Sequence, residues 1–497
     1  MKNMGNSSKY KLSCLAVIVT SGLIFPLSGY SQEQHSKQKR DVGIPLISPA
    51  EEGSSDVGFK NLEPEPPTIG TMYHIADDQA SKILSESLSR SAPEPLIKSY
   101  LVKMVRAAKD YTPQIKEAMT NHEAAEADVD QAEGQRLPQI SVGVQSNPAQ
   151  FGSGQRIDKR DLTNGVSINA TTSVFDWGYN RKNIESKEYT AKATEANYYA
   201  QYEDTSYQVC SQLAELAKQK LITQLSQAYV ERMSRLVNMI GDISKMDSGR
   251  VGELTQAQAR LLQAQTARDA AESRVRDAEI ALRKLTGRTS FEGLPTGPAW
   301  SIRIDDPNRL FRAIGRHPVI VQAKNQALSA LEQSKAVKAN NLPKLDWVVS
   351  KTFPVNSGAY DQAWQTYLNV SWALYQGGAG TAQERAAALR ASSAQQQVEE
   401  QTIDLRSKVR TAIHNAETQL DQSDQYHRLV TATDRVRKDF FEQWRQLSTR
   451  TLLDVLTAES DYYNNQVNEV TTRFNAYTSI FTSYANAGLL NQWLGVN

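Results

Sequence analysis

The chain repeats itself with a period of about 200 residues. Four landmarks recur in the same order: YTPQIKEA at Tyr111 as RHPVIVQA at Arg316, LPQISVGV at Leu137 as LPKLDWVV at Leu342, FDWG ending at Gly178 as LYQG ending at Gly377, and ELTQAQARLLQAQ at Glu253 as DVLTAESDYYNNQ at Asp454. Their offsets vary only between roughly 199 and 205 residues, as a duplication with small insertions predicts. This period is too long for a solenoid repeat. We therefore expect each half to be a whole structural unit that packs beside the other.

Length and charge limit the class of protein. At 497 residues the chain can hold two domain-sized units, and its formal net charge of +1 gives no electrostatic reason to expect a nucleic-acid partner. No segment beyond the amino terminus has the roughly 18 consecutive apolar residues of a transmembrane helix. A membrane location stays open, because transmembrane β-strands alternate in polarity and barely register on hydropathy.

The amino terminus is typical of a secretory signal peptide, which we assign to residues 1–31. It combines a basic start, an apolar stretch over 12–27 and small residues at its exit. Cys14 suggests lipoprotein processing as an alternative, but it lies at the start of the apolar stretch rather than after it. Once the signal is removed, Cys210 is the only cysteine, so we expect no disulfide framework despite the exported destination.

A proline-rich leader follows the signal over residues 32–98. It is also rich in serine, glutamine and glutamate, and we expect it to be extended or disordered. The first repeat then covers residues 99–290. A linker over 291–307 leads to the second repeat, over 308–490.

Each repeat is predicted to contain a helix, two strands and then very long helices. The first helix, over 100–135, ends at Leu137-Pro138 because proline cannot continue a helix. Strict alternation of apolar and polar side chains then indicates strands. The predicted strands cover 139–146 and 166–174 in the first repeat, and 345–351 and 367–375 in the second.

Proline-free regions follow each strand pair, over 179–286 and 381–486. Their alanine, glutamine, glutamate, arginine and leucine content is strongly helical. A helix over 179–246 would be about 100 Å long at 1.5 Å per residue. Helices of this length predict antiparallel hairpins, with turns at 247–252 and 446–450.

Four strands with one apolar face raise the question of how the sheet closes. Lipid does not tolerate the two unpaired edges of an open sheet, and membrane barrels have at least about eight strands. We therefore expect several copies to share one barrel, with three copies supplying twelve strands. The side chains predicted to face lipid are Val166, Ile168, Leu368, Val370 and Trp372. Those predicted to face a water-filled lumen are Ser167, Asn169, Thr171 and Asn369. An ordinary sheet over a soluble core is the alternative, but the export signal and the long helices favour the barrel.

The landmarks resemble those of a known family, the TolC-like outer-membrane channels, also called outer membrane efflux proteins. The resemblance covers about residues 100–490 and includes the duplication in register, LP before each first strand, FDWG and LYQG after each second strand, and TRTLLDVLTAES at the second hairpin. It is closest to the type I secretion branch of the family.

The resemblance implies an α+β membrane protein built from an internal duplication. Its homotrimer forms a 12-stranded β-barrel in the outer-membrane lipid, with four strands from each chain. A long α-helical barrel continues this barrel through the periplasm as an exit duct. In this family the hairpin tips dock a periplasmic adaptor, or membrane fusion protein, which belongs to an inner-membrane pump.

The resemblance also assigns roles to residues at the tips. Arg450 and Asp454 match the charged residues that hold the periplasmic mouth closed, while Thr457 replaces a second aspartate and predicts weaker cation binding there. The alternative is an exposed i,i+4 charge pair worth about 0.3–0.5 kcal/mol. The family's hairpin glycine is absent, and we expect Gly249 to provide the turn conformation. The implied adaptor-docking residues are Asp247, Ser248, Gly249, Arg250, Ser448 and Thr449.

Two functions compete within the family. The strings GRVGELTQAQARLLQAQ and TRTLLDVLTAESDYYNNQ favour type I secretion, in which an inner-membrane ABC transporter exports a protein such as a large adhesin. The alternative is a drug or metal efflux system with a proton-driven pump. Enzyme function is not expected, because the six histidines show no metal-ligand or acid-paired spacing. No metal or cofactor is predicted, and the chain lacks a phosphate-binding GxxxxGK[ST] loop, so energy must come from the partner pump.

Overall fold

The computed structural model describes residues 92–145, 165–295, 297, 299–304, 306–354, 363–447 and 449–496. The predicted signal peptide and residues 32–91 of the predicted leader lie outside these ranges. At the start of the described part, Ala92 forms a bridge with Trp300, and the first helix begins at Glu94. The last residues of the predicted leader are therefore part of the folded protein, because Ala92 is tied to the linker between the repeats.

Both repeats contain helices and strands in the predicted order. The first repeat contains α1 (Glu94–Tyr111), α2 (Pro113–Gly134), β1 (Gln139–Gln145), β2 (Gly165–Phe175), α3 (Tyr179–Met246) and α4 (Val251–Thr286). The second contains α5 (Pro307–Ala313), α6 (Pro318–Asn340), β3 (Lys344–Pro354), β4 (Gln365–Ser371), α7 (Ala379–Glu442), α8 (Leu452–Asn486) and α9 (Leu490–Leu494). The predicted α+β class is confirmed, and the 68-residue helix α3 has the predicted bounds.

The predicted single helix over 100–135 is wrong, because Thr112 divides it into α1 and α2. Pro113 has no N–H group, and its ring disfavours helical backbone at the residue before it. Thr112 accordingly has extended angles, φ −66° and ψ 122°. A hydrogen bond from its Oγ1 to the Leu285 carbonyl oxygen, 2.9 Å long, ties the break to the end of α4. In the second repeat, His317 forms the equivalent break before a proline.

The turn after the second strand has the same backbone conformation in both repeats. Gly178 and Gly378 lie in the left-handed region at φ 83° and 87°, and the residues before them do so too, Trp177 at 53° and Gly377 at 62°. The alignment of Gly178 with Gly377 was therefore wrong by one residue. The equivalent of Gly178 is Gly378, which gives an offset of 378 − 178 = 200 between the second strands of the repeats.

The four strands form one antiparallel sheet in the order β1-β2-β3-β4. The register aligns one apolar face, on which facing pairs are Val144 and Val166, Val142 and Ile168, and Trp347 and Leu368. The other face carries the predicted polar side chains Ser167, Asn169, Thr171 and Asn369. In the part of the chain that the structure describes, β1 and β4 each pair on one side only, so both outer edges of the sheet are open.

The strand bounds differ from the prediction mainly in β4. The predicted strand covers 367–375, but β4 ends at Ser371, so Trp372 lies one residue beyond the strand to which it was assigned. Strand β3 is longer than predicted and reaches Pro354, because β2 pairs with it along its length. Residue 146, the predicted end of the first strand, lies outside the described residues.

The long helices also form rows with open ends. In one row α2 packs on α3, α3 on α6 and α6 on α7; in the other, α4 packs on α3, α3 on α8 and α8 on α7. Helices α2, α4 and α7 therefore lie at the ends of these rows. Large apolar side chains are exposed there, with Leu262 and Ile280 of α4 at 65% and 62%, and Leu389 and Ile403 of α7 at 61% and 60%.

Within the described ranges, no helix combines the length and the apolar composition of a membrane-spanning segment.

Glu203 of α3 is a buried carboxylate that holds the short helix α9. It accepts hydrogen bonds from the backbone N–H groups of Leu490 at 2.5 Å and Asn491 at 3.3 Å. Burial raises the pKa of Glu203 to about 7, although these two N–H groups act in the opposite direction. The folded protein therefore binds this proton more tightly than the unfolded chain does.

We expect Glu203→Gln to flatten the pH dependence of stability. A raised carboxyl pKa favours folding while the group is protonated, so the wild-type protein loses stability as the pH rises from about 4.5 to about 7. The full effect is on the order of 3 kcal/mol. Glutamine keeps an acceptor oxygen without the charge. Apparent melting temperatures at pH 5 and pH 8 measure the difference.

Asp204→Asn is the matched control, because this carboxylate is adjacent in sequence and exposed. It should keep the wild-type pH dependence. An unchanged pH dependence in Glu203→Gln would show that this carboxylate does not titrate on unfolding.

Candidate functional site

The first hairpin tip, between α3 and α4, is held by an aspartate rather than by a left-handed glycine. The Asp247 carboxylate accepts a hydrogen bond from the Gly249 N–H at 3.0 Å, and a short 3-10 turn over Ser248–Arg250 follows. Gly249 lies in this turn as expected, but it does not have a positive φ. A Cβ at Gly249 would lie only 3.2 Å from Asp247 Oδ1, so the missing side chain permits this close contact.

The second hairpin tip, between α7 and α8, combines a π-helical turn with a capping box. Helix α7 passes into a π turn over Gln443–Leu447, and Thr451 is the N-cap of α8. The Thr451 hydroxyl accepts from the Asp454 N–H at 3.2 Å, and the Asp454 carboxylate accepts from the Thr451 N–H at 3.0 Å. Both hydrogen bonds satisfy N–H groups that a helix start leaves without partners.

The predicted gate residues make local contacts at this tip. Arg450 Nε donates to Gln443 Oε1 at 3.2 Å, and its guanidinium lies 4.2 Å from the centre of the Phe440 ring. Hydrogen bonds from the backbone N–H and side chain of Thr451 lower the pKa of Asp454, and the charge of Arg450 adds a smaller effect.

Arg450 and Asp454 do not form the helical i,i+4 pair that their spacing suggested. Helix α8 begins at Leu452, so Arg450 precedes the N-cap and has no place on a helix face. In the described part of the chain, no ion pair joins the two residues. Thr457 is exposed one turn further along α8. The tip therefore carries one acidic side chain of this set, which is engaged in capping.

The predicted docking residues are mostly solvent-accessible. Asp247, Ser248, Gly249 and Thr449 are exposed, and Arg250 is half-buried. Arg250 Nε lies 3.7 Å from Asp247 Oδ2. Ser448 lies outside the described residues. Two apolar side chains border the first tip, Met246 at 92% exposed and Val251 at 52%, so the first tip presents apolar as well as polar groups.

A buried ion cluster near the tips was missed by the sequence analysis. Glu459 of α8 accepts from Arg232 Nε of α3 at 2.7 Å and from Arg437 Nη1 of α7 at 3.1 Å. Arg437 Nη2 also lies 2.7 Å from Asp434 Oδ1. The Tyr462 ring contacts both guanidinium groups, with centroid distances of 5.3 Å to Arg232 and 4.6 Å to Arg437. Both Glu459 and Arg437 are buried.

This cluster joins the two hairpins of the chain. Tyr229 of α3 stacks on Tyr463 of α8 beside it, with centroids 4.5 Å apart and rings 7° from parallel. The signal that could have identified Glu459 was its spacing, because it falls between Val455 and Tyr463 on the buried stripe of α8. A carboxylate at such a position needs buried hydrogen-bond donors or a cation, but the sequence does not show which residues supply them.

Comparisons with known proteins agree with this architecture. Residues 104–288 match the family model described as "Outer membrane efflux protein". The chain is 22% identical over 418 residues to outer membrane protein TolC of Escherichia coli (strain K12), covering 79% of this chain and 83% of TolC. It is 24% identical over 312 residues to outer membrane efflux protein BepC of Brucella suis biovar 1 (strain 1330), covering 61% of this chain and 68% of BepC. The solved outer-membrane channel OprN superposes with a TM-score of 0.68 at 18% identity, covering 81% of this chain and 93% of OprN.

Residues 104–288 match the outer membrane efflux protein family, and most of the chain is similar to TolC-like channels. The predicted family resemblance is confirmed by the family model and by the curated relatives together. It follows that the protein is a channel component rather than an enzyme, located in the outer membrane with a periplasmic extension.

We expect Glu459→Gln to destabilise the protein. The substitution leaves Arg232 and Arg437 next to a neutral side chain in a buried site, and breaking a buried ion pair costs about 3–5 kcal/mol. The apparent melting temperature of the detergent-solubilised protein measures the loss. Glu272→Gln is the control, because Glu272 pairs with Arg268 at 3.9 Å on the exposed surface of α4. Equal melting temperatures for the two variants would contradict a stabilising role of the cluster.

Proposed function

We propose that this chain forms the outer-membrane exit duct of a tripartite type I secretion system, as a homotrimer. The observation that supports assembly of several copies is that the sheet and both helical rows of a single chain have open edges. The sheet ends in unpaired strands β1 and β4, and the helical rows end in α2, α4 and α7. These edges need partners, and further copies of the same chain supply complementary ones.

The edges point to head-to-tail assembly. One side of the chain presents β1, α2 and α4, and the other presents β4 and α7. Two unlike surfaces that bind each other generate a ring when the rotation closes. The exposed apolar side chains Leu262 and Ile403 lie on opposite sides of this arrangement, where the ring would bury them. Burial of such surface is the main driving force for association.

Three copies fit the duct better than two. Two copies of four strands give eight, and the interior of an eight-stranded barrel is just wide enough to be filled by side chains. Three copies give twelve strands and leave room for water. The apolar face with Val166, Ile168, Leu368 and Val370 would then meet outer-membrane lipid, and the polar face would line the lumen.

The proposed cargo and partners are supported by the sequences of the two hairpin tips and by the lack of a nucleotide-binding GxxxxGK[ST] loop in the chain. The strings around Gly249 and Asp454 resemble the secretion branch, which supports a periplasmic adaptor and an inner-membrane ABC transporter that exports protein. A second candidate function is a drug or metal efflux system with a proton-driven pump. The name of BepC, an efflux protein, supports that second candidate.

Deletion and complementation test the proposed function. A strain without this protein should lose a secreted protein from the culture medium, and wild-type protein should restore it. Gly249→Glu and Thr449→Glu should fail to restore secretion, because a bulky charge at the tips blocks the adaptor. Both sites are far along the chain from the strands, so membrane insertion should be normal. Mass spectrometry of the medium measures the result.

Gly315→Glu is the matched control, since Gly315 is exposed and has open space around it at a distance from the tips in sequence. It should restore secretion fully. Normal secretion without the protein, together with hypersensitivity to drugs or metals, would favour the efflux system instead.

We expect the combined change Arg450→Gln and Asp454→Asn to raise the resting conductance of the channel in planar bilayers. Both substitutions keep hydrogen-bonding groups at the tip but remove the charges proposed to hold the mouth closed. Lys245→Gln with Asp242→Asn is the control, because that pair lies at 2.9 Å on the exposed end of α3. Wild-type conductance in the Arg450 and Asp454 variant would limit these residues to capping and surface roles.

A further inference from the structure

The duplication specifies how neighbouring copies join, given the ring of copies proposed above. Inside one chain, β2 of the first repeat pairs with β3 of the second. Between copies, the equivalent junction brings β4, the second strand of its repeat, against β1, the first strand of the next copy. Because equivalent strands have similar sequence patterns and turns, the register seen inside the chain can be transferred to the junction between copies.

The transfer needs two offsets, and the structure provides a check on them. Strands β1 and β3 are related by 342 − 137 = 205, from the LP landmark, and β2 and β4 by 200, from the shared turn. Applied to the facing pair Gln139 and Thr171, these offsets give Lys344 and Ser371. Lys344 and Ser371 do face each other between β3 and β4. The offsets therefore reproduce an observed register that was not used to derive them.

We propose that β4 pairs antiparallel with β1 of the next copy, with Val370 opposite Val144 and Trp372 opposite Val142. The first pair derives from Ala170 opposite Val349 between β2 and β3, and the second from Thr172 opposite Trp347. The partner surface is thus a second copy of this chain, bound through backbone hydrogen bonds of two edge strands.

The faces of the sheet support this register. Val144 and Val370 lie on the apolar face and are 84% and 67% exposed in a single copy. Val142 and Trp372 are 68% and 55% exposed. A slip of one residue would bring apolar side chains of one strand beside polar side chains of the other, because successive side chains point to opposite faces. The proposed register keeps the apolar face continuous across the junction.

The same register explains why β4 is short. Strand β2 ends at Phe175. With the offset of 200, the equivalent strand would end at Tyr375, but β4 ends at Ser371. Among the described residues of a single copy, no strand pairs with residues 372–375, because β3 begins at Lys344, opposite Ser371. Pairing with β1 of the next copy extends β4 through Ala373, with an irregularity near Leu374 equivalent to the one between Ser173 and Phe175.

Disulfide cross-linking tests the register in the full-length protein carrying Cys14→Ala and Cys210→Ala. In the membrane, oxidation with copper phenanthroline should link Val144→Cys with Val370→Cys into covalent dimers and trimers. Facing residues in antiparallel strands have Cα atoms about 4.5–5.5 Å apart, within the range of a disulfide. Ala170→Cys with Val349→Cys is the matched control, because the same geometry should close a disulfide inside one chain without multimers.

Two slipped pairs decide the outcome, Val144→Cys with Leu368→Cys and Val144→Cys with Trp372→Cys. Both keep the cysteines on the apolar face but move one of them by two residues, and neither should give multimers. Efficient linking of a slipped pair, or none in any pair while trimers persist on native gels, would overturn the register and leave the proposed assembly intact. A monomeric wild-type protein by light scattering would overturn the proposed function itself.

Discussion

The unpaired backbone groups along β1 and β4 are the constraint on which the rest of the structure depends. Each edge strand presents N–H and C=O groups that neither lipid nor an apolar surface can satisfy. The sheet also has one apolar face. The described residues of a single chain do not both cover that face and provide hydrogen-bond partners for the edge strands. The long helices among them also have surfaces without a neighbour, because α2, α4 and α7 lie at the ends of their rows. The proposed assembly of several copies would resolve both at once.

Much of the fold was predictable because the determining signals are local. Proline positions, strict alternation and uninterrupted helical composition placed α3 at Tyr179–Met246 and located both hairpin turns. The division of the first helix at Thr112 was predictable in principle, because Pro113 disfavours helical backbone at the residue before it. The end of β4 at Ser371 was not, because the alternation of side chains continues to Leu374 whereas β3 begins at Lys344, opposite Ser371.

The candidate site was less predictable, because its contacts join distant parts of the chain. The motif around Arg450 and Asp454 suggested a charge pair, but α8 begins after Arg450, and a capping box engages Asp454 instead. The ion cluster at Glu459 links residues separated by 227 positions in sequence. Spacing shows that Glu459 is buried, whereas the identity of its partners depends on how two hairpins pack, which no local pattern encodes.

The turns after β2 and β4 differ in the residue before the shared glycine, Trp177 in the first repeat and Gly377 in the second. Strand β2 pairs with β3 of the same chain, whereas β4 is proposed to pair with β1 of the next copy. Trp177 adopts a left-handed conformation that costs about 1–2 kcal/mol for a side chain of this kind. Its Nε1–H donates to the Pro343 carbonyl oxygen at 2.8 Å, and its ring packs edge-on against Phe175 at 4.9 Å. The equivalent residue, Gly377, has no such contacts and no strain. A strained tryptophan is stable only where its partner is held in place, and the continuous chain holds Pro343 beside Trp177 in every folded copy. In the proposed assembly a contact at Gly377 would come only from the next copy, so a residue that adopts the turn without a contact suits the folding of a single copy.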